Sequence, residues 1–459
     1  MHANHFKVQL NKKHRTLKAE ELIIYNQSKI IAATDVKGSY YYLVFYKDQY
    51  INGVKANKIR LNSFIHLAFK NGISFSGTHP LTNRILATDQ PFRFVKFNAL
   101  INTLHKSYSM KEVVFIFIFF DSFIKQDSSK KLLKDTFYHF RRNGKNYKSY
   151  QILKTYLHFF PKDKFAYDMV HNIAFQRYET MYQQLDLLYE KDPTYVEAVS
   201  YDFHLDPAYA IHLFQLYQTQ NRSMDKLAIR LAMLKRTYSS QNLAEIEESI
   251  SSLSIKDQIL IFKDLLQKQN HPLLQEKLFS RLLENEDSNS IASFLMEYDF
   301  QPTNEQISLV LKHIDNADAR LLAGYFNSSS SRLVQLSNQS AHILGELIKP
   351  FVSAFLQEYE VKEVIAWCSE LRTASHRLPI EQKLAKMEQL RDDPDNQLTL
   401  GELYLDLHQL EKSIECFKWE MELHPENPKP VSYLSKVYKQ LGKKEEAKAY
   451  QQLFVQMNK

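Results

Sequence analysis

Residues 394–425, PDNQLTLGELYLDLHQLEKSIECFKWEMELHP, and residues 428–459, PKPVSYLSKVYKQLGKKEEAKAYQQLFVQMNK, decide how this chain is read. In the first stretch Leu400 and Gly401 are followed by Tyr404, Ser413, Phe417 and Pro425. In the second, Leu434, Tyr438, Ala447 and Tyr450 follow the same order about one 34-residue period later, with Gly442 between the two halves. Apolar residues at helical spacing on both sides of each turn predict two helix–turn–helix hairpins, 394–427 and 428–459. Two helices that touch need a small residue at the contact and large ones around it. That requirement accounts for Gly401, Ser413 and Ala447 among leucines and aromatics.

Working upstream, Leu133, Phe140, Gly144, Ser149, Leu153 and Pro161 fit the same offsets, and Gly144 and Gly442 each stand five residues before the small residue. This order of residues resembles the tetratricopeptide repeat family, firmly over 394–459 and more loosely in a unit near 130–163. Gln397 replaces the family's Trp, Ser435 replaces the second Gly, and the last hairpin has no closing Pro. The resemblance implies a mainly α protein, a TPR-like α-solenoid preceded by a small α+β domain. It further implies that the concave side of each first helix forms a groove. Lys131, Lys134, Tyr138, Arg141 and Arg142 would face it in the upstream unit, Asp395, Glu402 and Asp406 in the next, and Lys429, Tyr433, Lys436 and Lys439 in the last. Family members that clamp a peptide's terminal carboxylate use Lys and Asn in consecutive repeats. Glu402 departs from that pattern, so chaperone-tail binding is not expected.

The rest of the chain has two textures. Residues 1–94 hold strand-like runs such as 21–25, 29–32 and 40–46, rich in Tyr, Ile, Val and Phe, with breaks at 35–38, Asn52-Gly53 and Asn71-Gly72. A short helix at about Asn62 to Lys70 is expected to stop at Gly72. From about residue 95 to 390 helical periodicity dominates, with blocks at 224–235 and 255–267 and turns at Asp192-Pro193 and Asp206-Pro207. The apolar run Val113–Phe120 follows Ser109 and Glu112, the spacing of a capping box, and reads as helix. Asn327–Arg332 reads as a connecting loop.

At 459 residues the chain exceeds a single core, and 44% hydrophobic residues are ample for a folded protein. Residues 1–150 carry 25 Lys and Arg against 9 Asp and Glu, whereas the remaining 309 residues carry 34 against 43. The basic part therefore suits anionic partners. No secretory leader or membrane span is expected, and Cys368 and Cys416 read as buried thiols of a cytoplasmic protein.

The common phosphate-loop, zinc and nucleophile-elbow motifs are absent, so no catalytic residue, cofactor or metal site is expected. His2 and His5 read as a frayed terminus, Asp392, Asp393 and Asp395 as helix capping, and Glu245, Glu247 and Glu248 as a solvated helix face. The loop Gly77–Pro80 with Asn83 and Arg84 gathers polar groups without a nucleophile–base pattern. Function is thus expected to be non-enzymatic, a scaffold or adaptor holding a protein or peptide in the groove. The alternative is a regulator that binds nucleic acid or another anionic surface through residues 1–150, where Phe137, Tyr138, Phe140 and Tyr147 interleave with cations.

Overall fold

The computed structural model of the chain describes residues 4–11, 13–88, 90–371 and 378–458. The aromatic and β-branched runs become strands β1 (His5–Leu10), β2 (Lys13–Tyr25), β3 (Ser28–Thr34), β4 (Tyr40–Tyr46), β5 (Gln49–Lys55), β6 (Ile73–Ser76) and β7 (Phe92–Arg93). Strands β1 to β5 form an antiparallel meander, and β7 adds parallel to β1. One edge of the long β2 is shared, its first half pairing β1 and its second half β6.

Strand β5 meets the segment after β7 through side chains. Asn52 donates to Val95 O and accepts from Val95 N, both at 2.9 Å, and the Tyr50 hydroxyl donates to Arg93 O at 3.0 Å. This corrects the turn expected at Asn52-Gly53, which lies inside β5. Gly53 serves close approach there, since a Cβ would fall 2.2 Å from the Phe94 ring. The helix after β5 spans Phe64–Asn71, capped by the Ser63 side chain. Gly72 ends it at an ordinary φ of −80°, so no left-handed cap forms.

Strand β3 is buried on both faces as far as Ala33, and this creates the main electrostatic demand of the fold. Lys29 has no exposed side-chain surface, and its ammonium lies 2.7 Å from Asp225 and 2.9 Å from Asp48. Asp225 accepts a further bond from Arg222 Nε at 3.1 Å. The same guanidinium reaches Glu197 at 2.6 Å, and Glu197 accepts from the Tyr217 hydroxyl. Burial alone would raise the Asp225 carboxyl, but Arg222 and Lys29 outweigh it and hold the group below its ordinary range. A second tie runs from the Tyr201 hydroxyl to Ile24 O at 2.5 Å. The helices Pro193–Asp202 and Ser223–Arg236 are thereby tied to the sheet.

The chain divides into two compact units, Met1–His271 and Pro272–Lys459, and the division falls within the 95–390 stretch. Outside the sheet the protein is mainly helical. The run after Ser109 is the helix Met110–Ile118, with both halves of the capping box formed. Asp192 and Asp206 cap the helices that open at Pro193 and Pro207. The serine run, read as a loop, instead enters the helix Ser329–Leu336, because Arg332 turns inward and donates to the carbonyls of Leu295 and Phe300. Among the described residues no helix is long and apolar enough to cross a membrane.

Four helical hairpins turn in the same way. Residues Gly144, Asn221, His408 and Gly442 have φ of 66°, 55°, 55° and 74°. In each case the residue's N–H bonds to the carbonyl three back, the next N–H to the carbonyl five back from it, and the second helix starts two residues on. These bonds satisfy the last carbonyls of the first helix.

Removing Asp225 should expose the weight of the buried cluster. Asp225→Ala leaves Lys29 with the half-exposed Asp48 as its one counterion, beside the Lys47 carbonyl, so a loss of about 3–5 kcal/mol is expected in denaturant unfolding of the first unit. Lys29→Met should be milder, because Asp225 keeps Arg222.

Candidate functional site

In the first C-terminal hairpin, Gln397–Asp406 packs against Leu410–Leu423, and Gly401 marks the closest approach. A Cβ there would lie 2.6 Å from the Phe417 ring and 3.1 Å from Cys416 Cβ. Ser413 is fully buried, its hydroxyl returned to Leu410 O at 2.7 Å, and Leu400 is buried beside it. Pro425 is exposed in the connection to the next hairpin, Pro428–Gln440 with Lys444–Met457. There Ser435 stands where the first hairpin has its glycine, and it donates across the contact to Ala447 O at 3.0 Å. A hydroxyl thus replaces the bare Cα by binding the backbone it touches. Leu434 is buried, and Tyr438 stacks on Tyr450 with centroids 5.3 Å apart. Tyr404 is half-buried, with the Lys412 ammonium 6.0 Å from its ring centre.

Three of the expected groove residues meet. The Tyr433 hydroxyl donates to Glu402 Oε1 at 2.9 Å, its ring stacks on Phe417 at 4.9 Å, and the Lys436 ammonium sits 5.4 Å from the ring centre. The bond to Glu402 and partial burial both raise the Tyr433 phenol above its ordinary range. Lys429 and Lys439 are exposed on the same helix at spacings of 4 and 3 residues from Tyr433 and Lys436, which places them on the same side. Asp406 continues the polar row by pairing with Lys383 at 3.1 Å. Lys383 carries no sequence signature of its own, and only the fold associates it with this row.

The upstream set is split. On the helix Ser128–Arg142, the side chains of Lys131, Tyr138 and Arg142 are exposed, whereas Lys134 lies 4.7 Å from the Phe165 ring centre and Arg141 4.7 Å from that of Phe175. The segment after Pro161 folds back over this helix and uses those two cations internally. Phe137 and Phe140 are buried, so they present no free face for a base.

Other sequence candidates prove structural. Asp393 caps a short turn by accepting from Asp395 N at 3.0 Å. Glu245 pairs with buried Arg230 rather than standing on a purely solvated face, a link that periodicity alone does not reveal. His2 lies outside the described residues, and His5 is exposed. Among the described residues no group of three metal-ligating side chains converges. Cys368 and Cys416 are buried free thiols, pushed by that burial up to about 12 and about 11.

His79, in the Gly77–Pro80 loop, is only 3% exposed and caps the helix Pro80–Leu86 by accepting from Leu81 N. Its Nε2 is 3.7 Å from Asp264, beyond hydrogen-bond reach, and burial lowers its pKa to about 4. No protein-family model matches this chain, and no curated protein matches it.

Two outcomes follow from this geometry. Gly401→Ala should destabilise the second unit by about 1–3 kcal/mol, read in urea through Trp419 fluorescence, because the new methyl meets a ring with no space to yield. The buried neutral His79 binds a proton less readily folded than unfolded, so its contribution is complete above about pH 6.5 and declines as pH falls towards about 4, by roughly 3 kcal/mol in all. His79→Asn keeps a capping acceptor and should flatten that part of the stability–pH curve relative to the wild type.

Proposed function

We propose that the chain is a non-enzymatic interaction protein, a scaffold or adaptor whose tetratricopeptide-like hairpins belong to an α-solenoid and hold a segment of a protein partner. The observation that carries this reading is the join of Glu402, Tyr433 and Lys436 across the first helices of successive hairpins. The spacing beneath it is equally specific, with the left-handed residues His408 and Gly442 lying 34 positions apart. A tyrosine packed on Phe417 and oriented by Glu402 gives a rigid edge with one polar tip, the kind of anchor that dominates protein interfaces. Lys429, Lys436 and Lys439 border it with positive charge, and Glu402 and Asp406 with negative. The groove therefore suits a peptide or helix carrying both signs. Two free thiols support a reducing, cytoplasmic setting.

A second reading gives the basic residues 1–150 an anionic partner such as RNA or DNA. It is supported by the exposed row Lys131, Tyr138 and Arg142. Its test needs the full chain, because a 1–150 fragment lacks Glu197, Arg222 and Asp225 and leaves Lys29 buried without its main counterion. Lys131→Glu with Arg142→Glu should weaken any salt-dependent RNA binding, and undiminished binding would remove this surface from consideration.

The first reading is checked by crosslinking pull-downs with the intact chain and with a Tyr433→Ala, Lys436→Glu variant. At least one partner should be lost while the unfolding transition is retained. Identical partner sets would show that these residues do not bind it.

A further inference from the structure

Four lysines from separate segments of the first unit surround one cavity. Lys47 follows β4 at a φ of 53°, Lys111 and Lys148 stand in the first turns of Met110–Ile118 and Asn146–Phe159, and Lys191 lies just before the cap of Pro193–Asp202. With Gln27 and Glu112 they line a space of about 390 Å³, within the range of small-molecule sites. Ser109, Pro193 and Thr194 also border it, so the positive ends of two helices add to the field.

Local carboxylates answer only part of this charge. Asp192 is buried, forms a short ion pair with Lys111 and accepts from the Tyr182 hydroxyl at 2.5 Å. Glu112 is occupied by its own helix cap, accepting from Ser109 N at 3.0 Å and Ser109 Oγ at 2.8 Å, and from the Tyr46 hydroxyl at 3.3 Å. Among the described residues Lys47, Lys148 and Lys191 form no ion pair. Their ammoniums lie 5.1 Å from the Tyr46 ring centre, 5.9 Å from the Phe140 ring centre and 3.9 Å from the Met181 sulfur respectively. Desolvation, with repulsion from Arg222, lowers the Lys47 ammonium from its ordinary value despite nearby carboxylates. Gln27 is 2% exposed, and its Oε1 has no donor. The cavity thus combines three cations outside any ion pair with one buried acceptor that lacks a proton.

We propose that this cavity binds a small phosphorylated ligand, its phosphate oxygens held by Lys47, Lys148 and Lys191 and one ligand hydroxyl or N–H donated to Gln27. A phosphate offers three acceptors to three ammoniums, whereas a single carboxylate offers two oxygens. The site is independent of the peptide-binding reading, which concerns the second unit.

Pyrophosphate is the probe, titrated calorimetrically into the full chain at constant ionic strength. Saturable binding is expected, weakened about tenfold or more in a Lys148→Gln, Lys191→Gln variant, which alters only exposed side chains and should fold. In the wild type, pyrophosphate should also protect Lys47, Lys148 and Lys191 from acylation, read by mass spectrometry, while Lys131 stays reactive. Lack of saturable binding, or equal binding by the variant without selective protection, overturns the proposal. Displacement of pyrophosphate by single-stranded RNA but not by ATP would also overturn it, by assigning the cavity to a nucleic-acid backbone.

Discussion

The placement of Lys29 sets terms that the rest of the first unit must meet. An ammonium with no exposed surface on a central strand requires an anion at close range, because desolvating a lone charge costs several kcal/mol. Asp48 is local but half-exposed, so Asp225 is the partner that closes the account of charge, and Asp225 is held in turn by Arg222, which also pairs with Glu197. The helices carrying these groups are therefore bound to the sheet by electrostatics as well as by apolar contact. This accounts for these helices belonging to the same compact unit as the sheet.

What was legible in the sequence was local chemistry. Runs of Tyr, Ile and Val gave β2, β3 and β4, and the Ser109–Glu112 spacing identified a helix where the composition alone suited a strand as well. Gly401 was readable as a close contact because only one residue type fits beneath the Phe417 ring. The hairpin turns show the limit. Gly144 and Gly442 advertise a left-handed conformation, while Asn221 and His408 adopt it without a glycine, held by the same backbone bonds. The strain of a side chain at positive φ is offset there by helix packing on either side, which no local pattern reports.

Long-range partners explain the remaining differences. Lys134 and Arg141 share a helix with Lys131 and Arg142, but Phe165 and Phe175 fold back onto only the first pair. Arg332 draws a serine-rich stretch into a helix by reaching carbonyls more than thirty residues earlier. At the C-terminal surface the reverse holds. Glu402 and Tyr433 are joined because their hairpins follow one another directly, so a sequence period translates into a spatial one. Charge serves three purposes in this molecule: it fastens the sheet to helices, it shapes one cavity, and it marks one helix face.

The tie between Lys29 and Asp225 also has a direction in time. The two residues are 196 positions apart, so a ribosome adding about 5–20 residues per second releases the lysine on the order of ten to forty seconds before the aspartate is made. Through that interval the strands can pair only with the lysine still hydrated or held by half-exposed Asp48 alone. The nascent sheet is thus an open structure awaiting a distant anion, and its interval of vulnerability to aggregation and proteolysis is set by the length of the intervening chain.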